Sequence, residues 1–514
     1  MRRVLLETIG TFDRASFERF QTELIKRGFE PTSPQLREWV GPVHGSFRSL
    51  TDAVEMRLEF RDGWPFKPPR VYVDGLTSDH VNPAGEVCLW REDEGDPKEW
   101  VSFDAFESRL QQWCDRVASG FSARDIALDA HLYFDEKSNK LAILNISEIV
   151  GEDTNDGAMG HFHAVAETTG PFNFKRGIRH SGALRGRWYY RRQLNMPPAN
   201  LLQFRNSLRR DQATNFERLW RETNKEKDTI HFALLIWNTP RGRNALALCL
   251  IPADPLPKAT ALVAAPTDTH ILQMRAGPDA ALLKDKRVVL FGVGAIGSHL
   301  ALLLAESGIG NITIVDGDVL RPGDVTRHAA GSKGVGYPKV DAVKGLIADS
   351  APWTNVHTVP EALWHPDRIV EVSADADLVI DGTGIAGFTD ACSVLFGEHG
   401  NPFLTYALYR SGSIGRARRQ AGEHDTPIMS RIEFTDRYPL IPPDDEAQDA
   451  QLETGCTSPV NNAPPHSVLA IAVVASQYSI DWLSGRMLWP DEVIDVYNPI
   501  ANSPFEHLGR LETR

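Results

Sequence analysis

The sequence predicts three domains in series: an α+β domain over residues 1–122, a mixed α/β linker domain over 123–265, and an α/β domain over 266–514. Three observations predict this. A chain of 514 residues exceeds what one hydrophobic core supports. The first region runs helix, strands, irregular cysteine loop, helix, which is an α+β order. The last region runs strand, glycine-rich loop, helix, strand, and then continues to alternate, which is an α/β order.

The first region opens with "DRASFERFQTELIKRG", whose apolar residues recur at helical spacing. Strands are expected around "REWVGPVHGSF" and "AVEMRLEFRDG". "WPFKPPRVYV" and "HVNPAGEVCLW" follow, punctuated by Pro and Gly. The closing helix, "SFDAFESRLQQWCDRVASGF", repeats Phe103, Phe106, Leu110, Trp113 and Val117 every three or four residues.

The linker region alternates β-like runs ("AHLYFD", "LAILNIS", "TIHFALLIWN", "ALALCLIP") with polar turns. A helix is expected near "ANLLQFRNSLRRDQATNFERLWRET". The basic, aromatic stretch "RHSGALRGRWYYRRQ" reads as a surface-exposed hairpin or partner contact. A nucleic-acid face is the alternative, and the formal net charge of −13 weighs against it. "GHFHAV" puts His161 and His163 on one strand face without a third metal ligand nearby. This region does not announce a function.

The five cysteines, Cys88, Cys114, Cys249, Cys392 and Cys456, are scattered and include no C-x-x-C pair. That disfavours a thiolate zinc site and a disulfide framework, and fits a reducing cytoplasm. The N-terminal apolar run in "MRRVLLETIG" is too short for a signal-peptide core. "HSVLAIAVVASQYSIDWL" holds about ten nearly unbroken apolar or small residues before polar ones intervene, against the about 20 a membrane span needs, so a buried helix is expected there and no membrane partner.

The α/β region begins with "KRVVLFGVGAIGSHLALLLAESGIGNITIVDGD". Gly292, Gly294 and Gly297 permit a tight turn and close backbone approach, and the helix that follows offers its N-terminus to a phosphate. Asp316 ends the next strand, where a carboxylate suits a ribose hydroxyl. A dinucleotide oxidoreductase is the default reading. Asp318, Arg327 and Lys339 argue instead for a triphosphate, whose transferring phosphoryl group needs cations. Asp381 ends the apolar run "ADLVID" and is the candidate Mg²⁺ ligand.

These residues resemble the adenylating domain of ubiquitin-activating enzymes and of their bacterial relatives that activate sulfur-carrier proteins. That family shows G-x-G-x-x-G, a strand ending in D-x-D, N-x-x-R, a Pro-Lys opening a helix, and a strand ending in Asp. Here these are Gly292/Gly294/Gly297, Asp316/Asp318, Arg327, Pro338-Lys339 and Asp381. Asp324 stands in place of the family's Asn, Gly384 in place of the Asp-Asn that follows the metal aspartate, and Arg275 is the nearest counterpart of an upstream arginine. The resemblance implies a Rossmann-like fold that binds ATP and Mg²⁺ and adenylates the C-terminal carboxylate of a small partner protein. It also implies a cysteine that attacks the acyl-adenylate, for which Cys456 in "ETGCTSPVNNAPPHS" is the candidate.

A second resemblance covers about the first 120 residues. Trp64–Pro69, His80-Val81-Asn82 and Gly85-Glu86-Val87-Cys88-Leu89 are similar to the Y-P-F-x-P-P, H-P-N and G-x-I-C-L motifs of ubiquitin-conjugating enzymes. The resemblance implies a conjugating-enzyme-like domain with Cys88 as thioester acceptor and Asn82 as oxyanion donor. His80 then braces the loop. The middle motif proline is Val81 here, and the loop from Asn82 to Cys88 is two residues short. The acidic run "REDEGD" reads as a solvated loop, and Cys114, Cys249 and Cys392 as core.

A conjugating-type and an activating-type domain in one chain resembles fusion proteins of anti-phage operons, such as the CBASS systems. The resemblance implies a partner with a free C-terminus, either a cyclic-oligonucleotide cyclase or a ubiquitin-like protein, a target amine, and a homodimer. Two rivals remain: an NAD(P)-dependent oxidoreductase, and a non-catalytic binding module that keeps the folds.

Overall fold

In the computed structural model, residues 9–511 are described except for 79, 91–95, 121–128, 167–169, 178–183, 226–230, 241, 254–257, 424, 446–449 and 452–459. The chain divides into two units, Met1–Asp268 and Thr269–Arg514.

The first unit begins with helix α1 (Arg14–Lys26), started by Asp13, whose carboxylate accepts the Ser16 N–H at 2.9 Å. Strands β1 (Glu30–Pro31), β2 (Glu38–Pro42), β3 (Glu55–Glu59), β4 (Arg70–Tyr72) and β5 (Glu86–Val87) form one antiparallel sheet in sequence order. Helix α2 (Phe103–Ser119), capped by Ser102, follows. Phe20 of α1 joins the two helices to the sheet side. Its ring centroid lies 5.2 Å from Trp64, 5.3 Å from Phe103, 5.6 Å from Phe106 and 5.8 Å from Phe60. Gly41 is required in β2, because a Cβ there would lie 2.3 Å from the Phe29 ring.

The second part of this unit is a closed seven-stranded barrel. Its strands are β6 (Lys137–Leu144), β7 (Met159–Ala166), β8 (Phe172–Arg176), β9 (Leu184–Arg191), β10 (His231–Thr239), β11 (Gly242–Ile251) and β12 (Lys258–Pro266), closing in the order β10-β11-β12-β6-β8-β7-β9. The ring closes where β9 and β10 pair in parallel, and β12 with β6 and β6 with β8 are parallel too. One face of the strands buries Phe162, Phe174, Phe232 and Leu234 together. The alternate residues Tyr189, Leu235 and Leu246 cluster with Phe204 and Phe216 of the helical stretch α3 (Leu201–Ser207) and α4 (Arg210–Lys225).

Two expectations for this region are corrected. "AHLYFD" does not start a strand: Ala130–Tyr133 form a 3₁₀ turn. The described part of "RHSGALRGRWYYRRQ" is not a surface hairpin. From Leu184 it is barrel strand β9, with Tyr189 and Tyr190 buried. Arg187 is buried too, donating to Asn215 at 2.8 Å and to Glu222 at 3.3 Å. Helix α4 supplies those acceptors, which is why a basic residue is tolerated on that face.

The second unit holds an eight-stranded sheet. The strands are β13 (Arg287–Phe291), β14 (Asn311–Val315), β15 (Asn355–Val359), β16 (Leu378–Asp381), β17 (Phe403–Tyr409), β18 (Ile414–Gln420), β19 (Glu492–Val496) and β20 (Gly509–Leu511). Their order is β15-β14-β13-β16-β17-β18-β19-β20. The first five are parallel and the rest antiparallel. The sheet is Rossmann-like. The chain grows outward from β13 in one direction through β14 and β15, then in the other through β16 and β17. The carboxyl end of β13 is therefore the switch point where α/β sheets open a crevice.

Helix α5 (Ala295–Glu306) follows β13, and helix α6 (Pro465–Leu483) packs across it and across β17 and β18. Both are apolar nearly all round, and both are buried: Leu300, Ala301 and Leu304 of α5 and Ala472, Ala475 and Tyr478 of α6 are fully enclosed. "HSVLAIAVVASQYSIDWL" is thus core. Among the described residues no helix is long and apolar enough to cross a membrane.

Candidate functional site

A cavity of about 400 Å³ opens at the carboxyl end of β13. Gly292 makes the turn that starts it. Its φ is +85°, and a Cβ there would lie 2.7 Å from the backbone of Gly382. Gly294 caps α5, with only open space where its Cβ would be, so the helix N-terminus faces the cavity unobstructed. Gly297 serves the turn from behind: a Cβ there would lie 2.1 Å from the carbonyl oxygen of Gly292.

Asp316 follows β14. Oδ2 accepts the Val293 N–H at 2.9 Å and Oδ1 the Asp318 N–H at 2.8 Å. Each oxygen takes one donor, so acceptor capacity remains for a ribose hydroxyl. Lys339 opens a helix (Lys339–Ser350) and reaches back, placing Nζ 3.0 Å from Asp318 Oδ2. Asp318 is mostly exposed and Lys339 mostly buried, so the ammonium is a cation held at the wall beside the helix N-terminus. Gly292, Gly294, Asp316, Asp318 and Lys339 are thus brought to one cavity.

Two further candidates point elsewhere. Arg327 donates from Nη1 to the carbonyls of Asn461 (2.5 Å) and Ala463 (3.4 Å) and is not in the cavity lining. Asp381 is 1% exposed and turned inward. Its Oδ1 accepts the Thr383 N–H at 2.9 Å and the Thr383 hydroxyl at 2.7 Å; its Oδ2 accepts the hydroxyls of Thr389 and, at 3.4 Å, Thr405. A carboxylate in that state does not fit a Mg²⁺ ligand. Arg275 sits exposed on the 273–275 turn. Cys456 lies outside the described residues.

Sequence reasoning missed His328. It is 5% exposed. Nδ1 accepts the Ala330 N–H at 3.0 Å, so Nε2 carries the proton and donates to the Val293 carbonyl at 2.8 Å. His328 therefore holds the glycine turn. Burial lowers its pKa, opposed by that bond. Trp364, at the cavity rim and 63% exposed, was missed as well. Neither carries a motif.

In the first unit, Cys88 is half-buried. Its N–H donates to the His80 carbonyl at 2.9 Å, and its Sγ lies 3.6 Å from the Trp90 carbonyl, within reach of a weak S–H donation. The residues after it are anchored twice. Arg109 of α2 donates to the Leu89 carbonyl, and the Trp90 indole N–H donates to Glu99 at 2.8 Å. Asn82 closes its own turn: Oδ1 accepts the N–H groups of Ala84 and Glu86, both at 3.0 Å, and Nδ2 donates to the Glu86 carboxylate at 2.9 Å. Arg70 lies 3.3 Å from the other oxygen of Glu86. His80 is buried. Of the acidic run, residues 91–95 fall outside the described residues.

The other described cysteines are core. Cys114 is buried, and burial pushes the thiols of Cys249 and Cys392 up to about 11 and about 12, so both stay protonated. His161 and His163 share a strand face on β7, but among the described residues no group of three or more His, Cys, Asp or Glu could hold a metal ion. Besides burial, the nearby Arg187 and Arg218 lower the His161 pKa.

Residues 270–488 match the ThiF family. A 164-residue stretch is 30% identical to the probable adenylyltransferase/sulfurtransferase MoeZ of Mycobacterium tuberculosis, covering 31% of this chain and 40% of that one. A 135-residue stretch is 30% identical to the ATP-dependent ubiquitin transferase-like protein Cap2 of Vibrio cholerae, covering 25% and 22%. The solved structure of E. coli MccB with ATP aligns over 44% of this chain and 63% of its own, at 15% identity and a TM-score of 0.33. The C-terminal half is a ThiF-type adenylating domain. The chain spans well under half the length of these curated relatives.

Proposed function

We propose that this chain is an ATP-dependent protein-conjugating enzyme. The observation that carries the reading is the meeting of a bare helix N-terminus at Gly294, the Asp316 carboxylate and the Lys339 ammonium in one cavity of an adenylating domain. ATP is the nucleotide the domain would take. Its polyphosphate would lie against the helix N-terminus and Lys339, and its ribose against Asp316.

In the first step a C-terminal carboxylate oxygen of a partner protein attacks the α-phosphorus. The bond to the β-phosphate oxygen breaks and pyrophosphate leaves. Lys339 stabilises the negative charge as it moves. The Cys456 thiolate then attacks the acyl carbon and AMP leaves. The Cys88 thiolate displaces Cys456 in turn, and a target amine displaces Cys88, losing a proton to form an amide. Arg327 would have to leave the Asn461 and Ala463 carbonyls to reach a phosphate. Asn82 would donate to the oxyanion through the N–H that Glu86 does not take.

The carried partner is a cyclic-oligonucleotide cyclase or a ubiquitin-like protein, the setting anti-phage defence in the cytoplasm, and the assembly a homodimer. Residues 1–122 act as the conjugating domain, 123–265 as a linker and 266–514 as the adenylating domain. The Asn82–Glu86 bond favours a second reading, a non-catalytic binding module.

Expression with operon neighbours, ATP and divalent cation, followed by gels with and without reductant, tests both. The relay reading expects a reductant-sensitive adduct that is lost in Lys339→Ala, Cys456→Ala and Cys88→Ala. An adduct in none of the preparations, wild type included, would favour the binding module.

A further inference from the structure

The carboxylate of Asp381 ends β16 inside the unit rather than at the cavity. An ionised carboxylate offers about four lone-pair sites. Four donors take them: the Thr383 N–H, the Thr383 hydroxyl, the Thr389 hydroxyl and the Thr405 hydroxyl. The donors come from three elements, namely the turn after β16, the helix Ala386–His399 and strand β17. Gly382, between Asp381 and Thr383, donates its N–H to the Phe291 carbonyl at 2.7 Å and abuts Gly292. The carboxylate therefore fixes the neighbour against which the glycine turn rests.

A hard divalent cation needs oxygen lone pairs directed at it. The carboxylates that line the cavity are committed in part: Asp316 to the Val293 and Asp318 amides and Asp318 to Lys339, while the exposed Glu361 lies 3.9 Å from Arg368. Position 384, which follows Thr383, is glycine.

We propose that Asp381 is a clamp joining three elements beside the glycine turn and not a metal ligand, so that any divalent cation in this cavity is carried by the nucleotide's own phosphates. The second half of the proposal rests on the nucleotide-binding reading above.

Full-length protein tests it with three readouts: Mn²⁺ binding without nucleotide by electron paramagnetic resonance, AMP and ATP binding by calorimetry in EDTA and in Mg²⁺, and thermal melting. The clamp predicts no stoichiometric Mn²⁺ binding and an AMP affinity that shifts by less than about threefold between EDTA and Mg²⁺. It also predicts a lower melting temperature for Thr389→Val and for Asp381→Asn. Thr389→Val frees a lone pair without removing the carboxylate, so it decides the matter even if Asp381→Asn does not fold. One Mn²⁺ per chain, retained in Thr389→Val with unchanged melting, would overturn the clamp. Failure of AMP and ATP to bind in either buffer would overturn the nucleotide reading instead, while the Mn²⁺ and melting results still decide the role of Asp381.

Discussion

Arg109 on α2 donates from Nε (2.9 Å) and Nη2 (2.5 Å) to the carbonyl of Leu89, the residue that follows Cys88. One guanidinium thus ties the cysteine loop to a helix whose own position is set by Phe103 and Phe106 in the aromatic core. Arg109→Ala is expected to lower stability by about 1.5–3 kcal/mol, the usual worth of hydrogen bonds to a charged group. It should also speed alkylation of Cys88 by freeing the loop. Urea melts and thiol labelling check this; an unchanged midpoint with unchanged labelling would show that the bond does not hold the loop.

The glycine turn makes a sharper contrast. Gly297→Ala places a methyl 2.1 Å from the Gly292 carbonyl oxygen, so the turn must open, with an overpacking cost of about 1–3 kcal/mol. Gly294→Ala places its methyl in open space at φ −70° and is expected to fold normally. Melting curves of the two variants should separate clearly.

Lys339 offers the cavity its nearest cation. Lys339→Ala is expected to weaken ATP binding by about tenfold or more, equivalent to at least about 1.4 kcal/mol, and to leave adenosine binding unchanged. Calorimetry with both ligands distinguishes a phosphate contact from a general loss of fold, which would weaken both.

The cavity was only partly legible in the sequence. Gly292, Gly294 and Gly297 stand out because backbone geometry restricts those positions to one residue type, and Asp316 because it ends an apolar strand. The surroundings of Asp381 were not legible. Thr383, Thr389 and Thr405 are unremarkable residues on three elements, and only the fold brings their hydroxyls to one carboxylate. Closure of the barrel was hidden for the same reason, since β6 and β12 pair across more than a hundred residues. The basic stretch before Arg191 misled because Asn215 and Glu222, which bury Arg187, lie on a helix far along the chain.

Histidine burial gives a pH dependence. The folded-state pKa of His328 lies below its ordinary value of 6.5, chiefly through desolvation, and that of His299 is lowered in the same way. As pH falls through about 6.5, the unfolded chain takes up protons that the folded chain refuses. Stability is therefore full above that value and is lost below it until the folded-state pKa is passed. His328→Gln keeps one donor and one acceptor but does not titrate, so its melting temperature should fall less steeply on acidification. Equal slopes for the two proteins would remove His328 from this linkage.

Peptide mass spectrometry of Cys88 tests the relay most directly. The full chain would be incubated with its operon partner, ATP and divalent cation, then digested without reductant. Thioester relay predicts the partner's C-terminal peptide joined to the Cys88 peptide, absent without ATP and absent in Lys339→Ala. A Cys88 peptide that stays unmodified while the partner is consumed, or a modification that forms without ATP, would contradict it.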